Sequence, residues 1–81
     1  GNHRYEATLK YFELLKNKLS DNAIVVFDDI NWSSGMRRAW REISTQKGIV
    51  FSVNFFKLGL IVYDSKQSKP TDDHYQLFLS L

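Results

Sequence analysis

Two adjacent carboxylates, Asp28 and Asp29, follow directly on the apolar run Ala23-Ile24-Val25-Val26-Phe27. The run is short and rich in β-branched residues, which predicts a strand covered on both faces, as in parallel sheets. In an open α/β sheet, ligands gather beyond the carboxyl ends of the strands, and the acidic pair falls there. Carboxylates so placed can hold a hard divalent cation through oxygen. They equally suit a loop in which one aspartate caps a turn and the other is solvated, and spacing alone leaves both readings open. Trp32 follows in the same loop, placed to wall a substrate pocket or to pack the start of the next helix.

His3 stands just before a helical pattern, where an imidazole can act as a general base or lie idle on the surface. His74 sits in the polar tail without a partner in sequence, and no role is assigned to it. Arg37, Arg38 and Arg41 could touch phosphate, but no aromatic residues interleave with them, so they read as a solvated helix face and do not point to nucleic acid. The chain has no glycine-rich phosphate loop, no metal-binding histidine pair and no serine nucleophile elbow. Without cysteine, it has no disulfide, thiolate metal site or cysteine nucleophile, which fits a reducing cytoplasm.

Regular elements must position these residues. Tyr5, Leu9, Phe12, Leu15 and Leu19 recur at helical spacing and predict an amphipathic helix over roughly 4–19. After the apolar run, Ser33 is a good helix N-cap, and Met36, Ala39, Trp40 and Ile43 form one face of a second helix that Gly48 stops. Residues 49–55 and 59–63 predict two strands joined by a tight turn near Lys57; one long bulged strand interrupted at Gly59 is the competing reading. The stretch 65–81 reads as a polar linker carrying the only proline, Pro70, and ending in a strand where Tyr75, Leu77, Leu79 and Leu81 alternate with Gln76 and Ser80.

The expected fold class is α/β, with two helices and a mixed sheet of three or four strands. The strands flanking the second helix should run parallel, and the third strand should lie antiparallel between them. Both helices then cover one face of the sheet, while the run before Asp28 asks for cover on two. With 81 residues and a formal net charge of +2, the chain holds one small domain at most, and its charge implies neither nucleic acid nor an anionic membrane. No apolar run is long enough to span a bilayer.

The run Gly1-Asn2-His3-Arg4-Tyr5-Glu6-Ala7, followed by Phe27-Asp28-Asp29-Ile30-Asn31-Trp32, resembles a branch of the class I S-adenosylmethionine-dependent methyltransferases. In that branch the fourth strand ends in an aspartate, followed by glycine, a variable residue, histidine and an aromatic. The fifth strand ends in paired acids, often with a tryptophan after them. The closing strands, with the seventh inserted antiparallel between the fifth and sixth, match the pattern of 49–63. The resemblance covers 1–64 and implies the carboxyl-terminal half of a Rossmann-like methyltransferase domain.

For this chain the resemblance implies that Asp28 and Asp29 help hold a magnesium ion that orients a substrate hydroxyl, that His3 is the base, and that Trp32 contacts the acceptor. It also implies S-adenosylmethionine as cofactor and a small-molecule methyl acceptor. The glycine-rich turn and the ribose-binding acid that make most of the family's cofactor contacts have no counterpart here, so the chain alone is expected to be inactive. Two other classes of function stay open: an interaction module that self-associates through its uncovered sheet face, and a nucleic-acid binder using the arginine helix, for which the signal is weaker.

Overall fold

The structure is a computed structural model and describes residues 3–77. Its elements are α1 (His3–Lys16), β1 (Ala23–Asp28), α2 (Ser34–Ser44), β2 (Ile49–Asn54), β3 (Leu58–Tyr63) and β4 (His74–Gln76). They form an α/β fold with one four-stranded sheet in the order β1-β3-β2-β4. β3 is antiparallel to both β1 and β2, so those two run parallel, and β4 lies parallel to β2 on its outer side.

Each element has a local cause. Ser33 caps α2, its hydroxyl accepting from the Met36 N–H at 3.2 Å. Gly48 takes a left-handed φ of 92° in the turn before β2, and a Cβ there would stand 2.7 Å from the Tyr63 ring. The β2–β3 connection is a short hairpin: Phe55 N–H donates to Leu58 O at 2.8 Å, and the Asn54 side chain accepts from Phe56 N–H at 2.7 Å. The single bulged strand is therefore not formed. Gly59 does not interrupt β3; it admits Trp40, whose ring lies 2.5 Å from where a Cβ would be.

The core lies between the helices and one face of the sheet. Phe12 from α1, Trp40 and Ile43 from α2, and Ile30 from the loop between β1 and α2 pack on Ile49 and Ile61, with Val25, Phe27 and Tyr63 at the margin. The two helices run side by side in the same direction. Gly35 faces Tyr5 at their amino ends, and Lys16 donates to Gln46 near their carboxyl ends at 3.0 Å. α1 is shorter than its periodicity suggests, ending at Lys16, and only a narrow stripe around Leu9 and Phe12 is covered. Leu15, expected on the buried side, is exposed, and so are Tyr11 and Leu14.

The other face of the sheet is open. Along β1, Ile24 and Val26 are 64% and 58% exposed, so the predicted double cover is met on one side only. By register, Ile24 stands beside Val62 and Phe51, and Val26 beside Leu60, Val53 and Tyr75. A β-bulge enlarges this apolar surface. The register shifts between Ile49 and Phe51, which leaves Val50 as the extra residue. Because side chains alternate across a strand, one added residue sends everything after it to the opposite face. Ile49 points into the core, Phe51 and Val53 point outward, and Ser52 and Asn54 lie on the helix side.

The polar stretch after β3 is tied down at several points. Asp64 N–H donates to Gly48 O and Gly48 N–H to Gln67 O, both at 2.8 Å. Asp21 accepts from the Ser65 hydroxyl at 2.9 Å and from its N–H at 3.3 Å, with Lys66 at 3.8 Å. The bonds from Ser65 hold the Asp21 carboxyl below its ordinary value of 3.8, with Lys66 assisting. A depressed carboxylate stabilises the fold above the unfolded-state value, and that contribution is lost as pH falls through the folded value. Asp21→Asn is therefore expected to cost stability at neutral pH and little at about pH 2. Urea unfolding of both chains across that range checks it. A cost that does not change with pH would show that the carboxylate charge plays no part. The terminal strand forms as β4, shorter than the alternation suggests, and Leu79 and Leu81 lie outside the described residues.

Candidate functional site

Three of the four residues singled out from the sequence gather at one rim of the sheet. Asp28 ends β1 and is exposed; Asp29 follows with a left-handed φ of 54°, a conformation aspartate tolerates better than most residues. Its carbonyl accepts from Trp32 N–H at 2.9 Å, closing a tight turn. Trp32 itself is 69% exposed, so it does not pack the helix start. Ile30, at 1% exposure, plugs this loop into the core between the acids and the tryptophan.

The loop is also pinned to the hairpin tip. Ile30 N–H donates to Lys57 O at 3.3 Å, and the Asn31 side-chain amide donates to Phe56 O. The acidic pair thus sits on a rim braced from two directions. Neither carboxylate has a hydrogen bond or ion pair among the described residues.

His3 opens α1, while its side chain lies outside the described residues. The helix directions nonetheless carry its backbone to the same rim, because the first turn of α1 is fastened to α2. The Tyr5 hydroxyl donates to Glu42 Oε1 at 2.5 Å, the Arg38 guanidinium lies 4.3 Å from the Tyr5 ring centroid, and Arg38 stands 3.8 Å from Glu42. The bond to the Glu42 carboxylate raises the Tyr5 phenol above its ordinary value, burial adds to this, and Arg38 opposes it. Arg38 is therefore engaged within the fold.

Magnesium usually takes one or two protein carboxylates, with waters and substrate oxygens completing its shell. Asp28 and Asp29 fit that demand as two hard, uncommitted oxygen donors. Among the described residues no cluster of three His, Cys, Asp or Glu side chains gathers to form a fuller metal cage.

A second concave region went unmarked by the sequence. A groove of about 390 Å³ runs between α2 and the β2–β4 edge, lined by Arg37 and Arg41 on one side and by Ser52, Asn54, His74 and Gln76 on the other. His74, which has no sequence partner, is held by Ser52, with Oγ 2.7 Å from Nδ1. The alternation of Ser52 and Asn54 with Phe51 and Val53 was visible, but the bulge that turns the polar pair toward the helix was not. No helix among the described residues is long and apolar enough to cross a membrane. Compared with known proteins, the chain matches no protein-family model, no curated protein and no solved structure.

Proposed function

We propose that the chain is the carboxyl-terminal part of a class I S-adenosylmethionine-dependent methyltransferase domain that methylates a hydroxyl of a small molecule. The observation that carries this reading is the strand order: β3 lies antiparallel between the parallel strands β1 and β2, with paired carboxylates at the carboxyl end of β1. That is the closing arrangement of the family the sequence motifs resemble. The reading includes a cytoplasmic setting and a homo-oligomer.

In this reading each rim residue has a task. Asp28 and Asp29 would hold magnesium, and His3, at the start of α1, would take the proton from the acceptor hydroxyl. Trp32 offers an exposed indole face against which the acceptor can lie. When bound, the metal supplies Lewis acidity and a template for the hydroxyl. The open apolar face favours a second reading, a non-catalytic module that self-associates.

The test is methyl transfer from labelled S-adenosylmethionine by the gene product that carries this sequence, assayed over a panel of hydroxyl acceptors with and without chelator. Transfer that chelator abolishes supports the reading. No transfer to any acceptor overturns it, and transfer indifferent to chelator removes the metal. Asp28→Asn and Asp29→Asn are each expected to lower turnover by about tenfold or more, since even outer-shell partners of a metal act on that scale. Their thermal midpoints should move by no more than about 4 °C, because both sites are exposed surface. Asparagine is the replacement of choice because it tolerates the left-handed backbone at position 29. The 81-residue chain by itself should show no tight binding of S-adenosylmethionine in a calorimetric titration.

A further inference from the structure

We infer that the groove between α2 and the β2–β4 edge is a binding site for a small phosphate-bearing ligand, separate from the rim that carries Asp28 and Asp29. Three independent observations meet there.

The first is the make-up of the sheet under α2. Beneath the rest of the helical layer the sheet presents Val25, Phe27 and Ile61. Under the groove it presents Ser52, Asn54, His74 and Gln76, brought to the same face by the bulge in β2 and by the pairing of Ser52 with His74 and Asn54 with Gln76. Polar side chains on the covered side of a sheet are costly unless they are satisfied. Ser52 is 3% exposed and meets this demand by bonding His74 Nδ1 at 2.7 Å. That bond orients the imidazole and leaves Nε2 as the ring nitrogen free for a ligand.

The second is charge. Arg37 and Arg41 stand one helical turn apart and line the groove together, and no acidic residue among those described lines it. Arg37 reaches only the Asn31 carbonyl, at 3.4 Å, and Arg41 has no ion pair among the described residues. The contrast with Arg38 is informative: that arginine, on the neighbouring side of the same helix, is consumed by Glu42 and the Tyr5 ring. Two unpaired guanidinium groups facing amide and imidazole donors match the tetrahedral oxygens of a phosphate group better than a lone carboxylate, which a single guanidinium already saturates.

The third is size. A cavity of about 390 Å³ is within the range of small-molecule sites. It is large enough to take a phosphate together with an organic body. The buried edge of Trp40 and the side chain of Ile30 give that body an apolar floor.

The probe is inorganic phosphate, titrated into the chain at constant ionic strength with chloride as the balancing ion and followed by two-dimensional amide and guanidinium NMR. Saturable shifts are expected at Arg37, Arg41 and the strand residues 52–54 and 74–76. Arg37→Gln and Arg41→Gln should each weaken binding at least fivefold, and His74→Gln should weaken it less. Arg38→Gln removes the same charge from the same helix outside the groove and should leave the affinity within twofold. All four positions are exposed, so dispersed spectra should persist and confirm that each variant folds. Absence of saturation at tens of millimolar phosphate would overturn the assignment. Shifts centred instead on Lys16 and Lys47, which line a smaller pocket just past the carboxyl end of α2, would also overturn it. A labelled single-stranded oligonucleotide forms the last arm. If it binds, and Arg38→Gln weakens it as much as Arg41→Gln, the helix is a general basic surface and the groove is not a site.

Discussion

Replacing Trp40 by alanine is expected to remove a large share of the stability of the fold. The indole is 9% exposed and joins three parts of the core at once. It meets the Phe27 ring edge-on, with centroids 5.6 Å apart and planes at 68°, lies flat on Gly59 of the central strand, and belongs to the cluster with Ile43 and Ile61. Truncating a buried tryptophan costs about 3–5 kcal/mol. A domain of this length holds about 4–12 kcal/mol in total. At about 4–8 °C per kcal/mol for a chain of this size, the thermal midpoint should fall by at least about 12 °C.

Gly59→Ala gives a second route to the same contact, because its Cβ would collide with the Trp40 ring and overpacking costs about 1–3 kcal/mol. The two changes should not add. Once the ring is gone the new methyl has room, so the double variant should be no less stable than Trp40→Ala alone. Urea unfolding of the four chains measures the coupling, and simple additivity would show that the indole does not rest on that glycine.

Sedimentation equilibrium is expected to show a reversible dimer formed through the open face of the sheet. Three strands of six residues and one of three, about 4.8 Å apart with about 3.4 Å per residue, give a footprint of roughly 340 Å² per copy. Two such faces bury less than half the area of a standard stable interface. The pairing should therefore be weak and strongly dependent on concentration, with the average mass rising from one chain toward two. A second copy suits the surface because the same apolar rows, Ile24–Val62–Phe51 and Val26–Leu60–Val53, can satisfy themselves across a two-fold axis. Ile24→Lys combined with Val26→Lys puts charges on positions already 64% and 58% exposed, so folding should survive while the dimer is lost. A wild-type monomer at the highest concentration would show that water covers this face, and would remove self-association from the functional reading.

Much of this architecture was legible because periodicity and connection length constrain it. Met36, Ala39, Trp40 and Ile43 fix both the existence and the buried face of α2, and all four are buried. A helix between two strands and a short link after them set one parallel and one antiparallel relation, hence the position of β3. What escaped was decided by neighbours distant in sequence. Gly59 looked like an interruption because nothing local reveals that Trp40 needs its missing side chain. Leu15 looked buried because helical spacing marks an apolar stripe without showing how wide the covering surface is. The rim carrying Asp28, Asp29 and Trp32 could be read from the rule that loops after strands carry function. The polar groove could not, since it depends on a single extra residue in β2 and on a parallel pairing with the distant segment 74–76.

The central place of β3 also dictates an order of assembly. β1 emerges from the ribosome before α2 and β2, yet among the described residues it pairs only with the strand made after all of them; Ala23 must wait for Tyr63. β2 and β3, by contrast, are joined by a short turn and can pair as soon as both exist. Local contacts close quickly and distant ones slowly. The hairpin should therefore stand first, with β1 added to its flank as the late and rate-limiting step. Until that moment the Ile24–Val26 stretch has both its edges and both its faces unprotected, which makes the newborn chain most vulnerable to aggregation where the finished one is most apolar.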